Sequence, residues 1–261
     1  DMLVSCPVNL YTTVRVFESK HPINRYKYKK SSELLNNVIR RCGYERLSNT
    51  FDIEIHSSIP MGKGFASSTA DLCGVYLCLL KLFHKKYDIQ ELIEELIKIE
   101  PTDSIIFREM TLFDYKKGKR YEHIGPYKKF YILAFEGSRQ VDTIAFNKAK
   151  LPSLLHIQDA LELLKDGIIT SNIFKIAQAS TWSIERNFAR LSYDIYDLVK
   201  DIMLRTGGLG IMGAHSGDVL GIIYDDKEKL LYARRFDSII PGYVPRFLET
   251  LDNFDLSRME L

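Results

Sequence analysis

The sequence predicts an α+β protein whose strands and helices fall into two parts. Segments with alternating or β-branched side chains interchange with segments whose apolar residues recur every three or four positions. Glycine-rich turns interrupt these segments at two places. The 261 residues are enough for one large domain or two modest ones with a sizeable core. Mixed elements in two parts indicate an α+β architecture.

The first part of the chain carries most of the expected strands. A basic, tyrosine-bearing loop over Lys20–Lys30 separates the first strand region from the first helix. Asp88 is a suitable N-cap for the third helix, and Pro101 ends that helix. In chain order we expect one or two strands over Leu3–Phe17, a helix over Glu33–Cys42, a strand over Phe51–His56, helices over Ala66–Phe83 and Ile89–Ile99, and strands over Glu109–Tyr115, Arg120–Ile124 and Lys129–Phe135.

A domain boundary is expected near Ala145–Pro152, which divides the chain into domains of residues 1–147 and 148–261. The predicted elements of the second domain are helices at about Ser153–Lys165, Asn172–Ala189 and Ile195–Arg205, a buried strand over Val219–Tyr224, and a last helix over Lys227–Arg235.

Composition limits the classes of function. A net charge of +2, with 46% hydrophobic and 27% charged residues, describes an ordinary soluble protein and favours neither a nucleic-acid nor a membrane partner. The apolar run Val75–Leu80 ends at Lys81 and is too short to span a bilayer. The cysteines form no C-x-x-C pair, which favours a reduced, cytoplasmic setting. They are Cys6, Cys42, Cys73 and Cys78.

A glycine-rich loop runs from Pro60 into the helix expected at Ala66. A loop of this kind between a strand and a helix directs backbone N–H groups and the helix dipole at one point, which favours a bound phosphate. Gly62 and Gly64 are too close together for a Walker A loop, and Ser67 stands where a dinucleotide fingerprint needs a third glycine. The alternative is an ordinary turn with a Ser/Thr N-cap.

A second motif, Glu100-Pro101-Thr102-Asp103-Ser104, follows the helix over Ile89–Ile99. Two carboxylates on a proline-stiffened loop suit phosphoryl transfer, since one can hold Mg²⁺ and another can accept a proton from the attacking hydroxyl. The alternative is a helix end stopped by proline, with Asp103 capping the next turn.

A third motif is the glycine-rich run 207–217, which ends Gly213-Ala214-His215-Ser216-Gly217. Glycines before a buried strand indicate that the backbone passes close to a ligand or to another segment of the chain. His215 is a candidate for lining a phosphate or a polar substrate, and a purely structural histidine is the alternative.

Together these motifs resemble those of the GHMP kinases, and in detail those of the L-threonine kinases of cobalamin biosynthesis. The resemblance spans nearly the whole chain. It rests on the loop P-x-G-x-G-x-x-S-S and on the E-P-T-D-S element, with support from Leu3-Val4-Ser5-Cys6-Pro7-Val8, Val141-Asp142-Thr143 with Phe146-Asn147, and Ala214-His215-Ser216-Gly217.

The resemblance implies a ribosomal-S5-like N-terminal half and a ferredoxin-like C-terminal half with the active site between them. It implies transfer of the ATP γ-phosphoryl group to the side-chain hydroxyl of L-threonine, with Mg²⁺. Asp103 would be the catalytic aspartate that removes or orients the hydroxyl proton. Ser68, with Ser67 as an alternative, and Glu100 would hold the metal, although Glu94 and Glu95 remain alternatives to Glu100. Asp142, Thr143 and His215 would face the substrate. The triphosphate would lie against Pro60, Gly62, Lys63, Gly64, Ala66, Ser67, Ser68 and Thr69.

The family's first motif, around a proline, a glycine and a glutamate, precedes L-V-S-C-P in relatives and is absent from this sequence. The chain opens at Asp1 in a strand-like pattern, so we expect an N-terminal piece outside this numbering. Three other functions stay open: a kinase for another alcohol such as homoserine, a non-catalytic nucleotide-binding protein, and an RNA-binding protein of S5-like fold. The oligomeric state has no signal in the sequence.

Overall fold

The structure is a computed structural model that describes residues 2–139, 152, 155–214 and 216–252. It confirms the α+β class. The described elements of the first part are β1 (Thr12–Glu18), α1 (Lys29–Arg41), β2 (Phe51–Ser57), α2 (Ser67–Leu82), α3 (Ile89–Ile99), β3 (Met110–Phe113), β4 (Tyr121–Gly125) and β5 (Tyr131–Glu136). Those of the second part are α4 (Gln158–Ile169), α5 (Ile173–Arg186), α6 (Tyr196–Thr206), β6 (Gly210–Gly213), β7 (Val219–Tyr224), α7 (Lys227–Ala233) and β8 (Val244–Glu249).

The three helices of the first part pack around one apolar core beside the antiparallel pair β1–β2. Leu34 from α1, Leu79 from α2 and Leu96 from α3 are completely buried in it. Helix α2 lies very close to β1, since a Cβ at Gly74 would come within 2.5 Å of the Val14 side chain. Burial of these faces holds the N-terminus of α2, and with it the glycine-rich loop, in a fixed place.

The second part centres on an antiparallel sheet with the strand order β6-β7-β5-β8. Strand β5 precedes the expected boundary at 147/148 in the chain, and the other three strands follow it. The boundary itself falls within 140–151, outside the described residues, so the two-domain division stays a prediction. Among the described helices, none has the length and apolarity needed to cross a bilayer.

The sequence does not predict strands β6 and β8. Strand β6 lies in the glycine-rich run, and a Cβ at Gly210 would come within 2.4 Å of the Ala177 carbonyl oxygen, so the glycine permits close packing of α5 on the sheet. Strand β8 contains Pro245 and lies at the sheet edge, where proline is tolerated.

The strand prediction over Leu3–Phe17 is wrong for its first half. Only Thr12–Glu18 forms a strand, and the earlier residues make the isolated bridges Leu3 to Phe113 and Val8 to Thr250. These bridges join the beginning of the chain to segments distant in sequence, which a local pattern does not reveal.

Candidate active site

The glycine-rich loop joins β2 to α2 through three residues with positive φ: Gly62 at 70°, Gly64 at 94° and Ala66 at 56°. Ala66 is the N-cap of α2, and no side chain caps this helix. The alternative of an ordinary Ser/Thr N-cap is therefore not what the structure shows. The first-turn N–H groups of α2 have no capping side chain, and such a helix start attracts anions.

The second glycine-rich run lies directly against this loop. A Cβ at Gly217 would come within 2.2 Å of the Lys63 carbonyl oxygen, and one at Gly64 would come within 2.2 Å of the Ala214 Cβ. The amide of Asp218 donates to the Lys63 carbonyl oxygen at 3.1 Å. Of the two explanations for these glycines, the structure shows close approach of another chain segment, and that segment is the glycine-rich loop.

The E-P-T-D-S element meets the first turn of α2. The Ser68 hydroxyl donates to Glu100 Oε1, and Lys30 Nζ lies 2.6 Å from Glu100 Oε2. Thr69 Oγ1 accepts from the Asp103 amide at 3.3 Å and lies 3.5 Å from Asp103 Oδ2. Two hydroxyls of α2 therefore touch the two carboxylates that follow α3.

Burial raises the pKa of Asp103 to about 6, and the neighbouring Glu100 charge adds to this effect, while hydrogen bonds from Thr69 and Ser5 oppose it. Burial also raises the pKa of Asp71, despite the hydrogen bond that Thr12 donates to it at 2.6 Å, and the Glu100 charge again contributes. With its pKa of about 6, Asp103 is mostly ionised at neutral pH and can still take a proton, as a catalytic base requires.

The donor atoms fit Mg²⁺. This ion uses oxygen ligands, and it is usually held by one or two carboxylates together with substrate phosphates. Glu100 is 5% exposed and lies beside the Ser68 hydroxyl, and no group of three or more acidic, histidine or cysteine side chains in the described residues forms a metal cluster. Glu94 and Glu95 are ion-paired with Arg41. Glu100 is also ion-paired, with Lys30, but its carboxylate contacts the Ser68 hydroxyl at the start of α2, which makes it the better candidate of the three.

The Lys63 side chain is turned away from solvent. It is 8% exposed, and its Nζ donates to the carbonyl oxygens of Gly137, Ser138 and Arg139 at 2.7–2.8 Å. All three ammonium hydrogens are thus accounted for. The expected triphosphate contact at this position accordingly rests on the Lys63 backbone.

The structure brings Ser68 to Glu100 and Thr69 to Asp103, but these contacts do not place every predicted residue in one cleft. Asp103, Gly64 and Ala66 line one cleft of about 1220 Å³, whose other walls are largely apolar. Three predicted substrate-side residues, Asp142, Thr143 and His215, lie outside the described residues and stay predictions.

Sequence reasoning missed several residues of this region. Lys30 and Asp218 gave no signal, because a lysine in a basic segment and an aspartate after a glycine are common. Ser5 and Asp71 lie within the recognised motifs, but nothing in the sequence assigned either of them a role of its own. In the structure Lys30 pairs with Glu100, and the Asp218 amide donates to the Lys63 carbonyl oxygen. Ser5 hydrogen-bonds to Asp103, and Asp71 lies close enough to Glu100 to feel its charge.

Comparisons with known proteins show which family this chain resembles. Residues 30–107 match the family described as GHMP kinases N terminal domain. An L-threonine kinase from Salmonella typhimurium is 28% identical over 234 residues, which cover 87% of this chain and 77% of that protein. An L-threonine kinase from Citrobacter freundii is 28% identical over 231 residues, which cover 86% of this chain and 80% of that protein.

Solved structures share the fold. Mevalonate kinase from L. major superposes with a TM-score of 0.72 at 9% identity, covering 96% of this chain and 90% of that chain. Homoserine kinase from Cytophaga hutchinsonii superposes with a TM-score of 0.64 at 16% identity, covering 86% of this chain and 76% of that chain. The resemblance to the GHMP kinases, and to L-threonine kinases among them, is confirmed.

Proposed function

Because residues 30–107 match the GHMP kinase N-terminal domain and the chain shares its fold with GHMP kinases, we propose that this protein is an L-threonine kinase. It transfers the γ-phosphoryl group of ATP to the threonine hydroxyl and releases O-phospho-L-threonine and ADP. The family and the named relatives indicate an ATP-dependent kinase with an alcohol acceptor. The choice of threonine, the role in cobalamin biosynthesis and the cytoplasmic location belong to the proposal.

The observation that carries the proposal is the meeting of Ser68 and Thr69 with Glu100 and Asp103 at the uncapped start of α2. The helix start and the loop amides offer the positive potential that a triphosphate needs. The two carboxylates lie within hydrogen-bond reach of the same helical turn. This arrangement supports phosphoryl transfer more specifically than nucleotide binding alone.

In this proposal the triphosphate lies against the backbone of residues 62–69, with Pro60 at the start of the loop. The side chains of Ser68 and Glu100 hold Mg²⁺, which neutralises phosphate charge when it is bound. Lys30, already paired with Glu100, keeps this buried carboxylate compensated when the ion is absent. The described residues thus provide oxygen ligands and a counter-charge in one place.

Asp103 faces the acceptor hydroxyl in the proposed reaction. Its pKa of about 6 leaves it ionised at neutral pH, so it can orient the hydroxyl and take its proton as the new P–O bond forms. Phosphoryl transfer has a loose transition state that depends strongly on placement, so orientation is the larger part of this role. Asp142, with Thr143, is proposed to bind the substrate ammonium, and His215 to line the substrate side.

The test is an ADP-release screen with Mg-ATP against L-threonine, L-serine, L-homoserine, aminopropanol and mevalonate, with an acceptor-free reaction as control. We expect the highest kcat/KM with L-threonine. Preference for homoserine or aminopropanol would make the protein a kinase for another amino alcohol. Turnover with mevalonate alone, or ATP binding without turnover of any acceptor, would contradict the proposed substrate.

A further inference from the structure

We propose that Lys63 is a positioning residue, whose ammonium fastens the segment 137–139 to the glycine-rich loop instead of binding the triphosphate. We call Lys63, the segment 137–139 and Asp218 the clasp. The nucleotide part of this inference rests on the proposed function, whereas the contacts themselves do not. The inference gives a role to a loop lysine whose charge would otherwise be expected to face phosphate.

In the Lys63 half of the clasp, the lysine side chain is buried and every hydrogen of its ammonium has an acceptor. Three successive carbonyl oxygens, those of Gly137, Ser138 and Arg139, surround the ammonium at 2.8, 2.7 and 2.8 Å. An ammonium has three donors, so none is left for a phosphate oxygen in this arrangement. Moving the side chain to the triphosphate would give up all three bonds, and the bond to Gly137 is a buried one, whose loss is costly.

In the other half of the clasp, Asp218 binds both the segment 137–139 and the glycine-rich loop. Asp218 is 1% exposed, and its carboxylate accepts from the Arg139 amide at 2.8 Å and from the Arg139 guanidinium at 2.9 and 3.1 Å. Its backbone carbonyl accepts from the Gly137 amide at 2.7 Å, and its amide donates to the Lys63 carbonyl oxygen. Both the loop and the segment 137–139 are therefore bonded to Asp218.

Shape adds to these bonds. A Cβ at Gly137 would come within 2.1 Å of Asp218 Oδ2, and one at Gly217 would come within 2.2 Å of the Lys63 carbonyl oxygen. Gly137 thus lies against the Asp218 carboxylate, and Gly217 lies against the backbone of the glycine-rich loop. Since β5 ends at Glu136 and β7 begins at Val219, the clasp ties the glycine-rich loop to the middle of the four-stranded sheet.

The clasp leaves phosphate binding to backbone amides and to the start of α2. Its expected contribution is to hold the loop in register with the sheet, because small misplacements reduce the rate of phosphoryl transfer much more than they reduce ground-state binding. A residue of this kind changes kcat with little change in the affinity for ATP.

The direct test is amide hydrogen exchange on the ligand-free protein. Lys63→Met removes the ammonium and keeps the aliphatic stem. Asp218→Asn weakens the carboxylate contacts with Arg139 and keeps the backbone bond to the Lys63 carbonyl oxygen. The exposed Lys227 at the start of α7 supplies the matched control, Lys227→Met. Both clasp variants should accelerate exchange at the Gly137 and Arg139 amides by about tenfold or more, and the control should not.

The second readout separates positioning from phosphate binding. Lys63→Met should lower kcat by about tenfold or more, with the Kd for a non-hydrolysable ATP analogue within about threefold of the unchanged protein. Unchanged exchange at these amides would overturn the clasp, and a larger rise in Kd would overturn the positioning role. Failure of the unchanged protein to bind the analogue would refute the proposed function, and the exchange result would still decide the clasp.

If Lys63→Met does not fold, as judged by circular dichroism, Asp218→Asn carries the same two measurements. Where both single variants fold, the double variant should accelerate exchange no more than the stronger single variant does, because the two halves act on one segment. Additive effects would show two independent contacts and would overturn the clasp as one unit.

Discussion

Replacing Asp103 with asparagine should lower activity and raise stability at the same time. The carboxyl has a pKa of about 6 against an ordinary value of 3.8, because burial and the Glu100 charge disfavour its ionised form. An asparagine keeps the size of the side chain and removes the charge. The negative charge of Asp103 that suits the proposed reaction therefore lowers the free energy of unfolding.

The size of the stability effect follows from linkage. Between pH 3.8 and about 6 the folded protein holds a proton at Asp103 that the unfolded chain has lost, so stability falls as the pH rises through this window. At 1.36 kcal/mol for each pH unit, the penalty reaches up to about 3 kcal/mol above pH 7. Asp103→Asn should escape this penalty, with little difference between the two proteins below pH 4.

The assay is urea unfolding of both proteins at pH 4, 6 and 8, together with kcat/KM for the preferred acceptor. The activity of the unchanged protein should fall about tenfold for each pH unit below the Asp103 pKa, and Asp103→Asn should lose about 10²-fold or more at pH 8. Equal stability of the two proteins at pH 8 would refute the assigned cause of the raised pKa. A near-normal rate of the variant would refute its role as base.

Three further predictions concern other parts of the candidate site. Gly217→Ala should lower kcat/KM by about tenfold or more and lower the free energy of unfolding in urea by about 1–3 kcal/mol. The reason is that its Cβ would meet the Lys63 carbonyl oxygen at 2.2 Å. Gly242→Ala is the control for activity: its added Cβ has no atom within 4 Å, and kcat/KM should not change. Glu100→Gln should raise the Mg²⁺ concentration for half-maximal rate by about tenfold or more, and an unchanged requirement would remove Glu100 from the metal site. Lys30→Met should lower the free energy of unfolding by about 1–2 kcal/mol at pH 7, since Glu100 loses its ion-pair partner. Lys27→Met, at an exposed lysine, is the control. If both variants lose the same free energy of unfolding, the Lys30–Glu100 pair is solvated.

The sequence by itself determined the features that are local. Asp88 caps α3 by accepting from the Gln90 and Glu91 amides, as a side-chain oxygen just before a helix is able to do. The strand, glycine-rich loop and helix around Gly62 and Gly64 also follow from neighbouring residues, because positive φ and helix periodicity are properties of short segments. For the same reason the elements β7 and α3 have the bounds predicted from the sequence.

Only the tertiary structure decided which distant residues complete the site. Lys30 reaches Glu100 across 70 positions, and Lys63 reaches the carbonyls that begin 74 positions later. A lysine in a basic segment has the same local pattern whether it is solvated or buried against a partner. Its role depends on which segments the hydrophobic core brings together, and that information is spread over the whole chain.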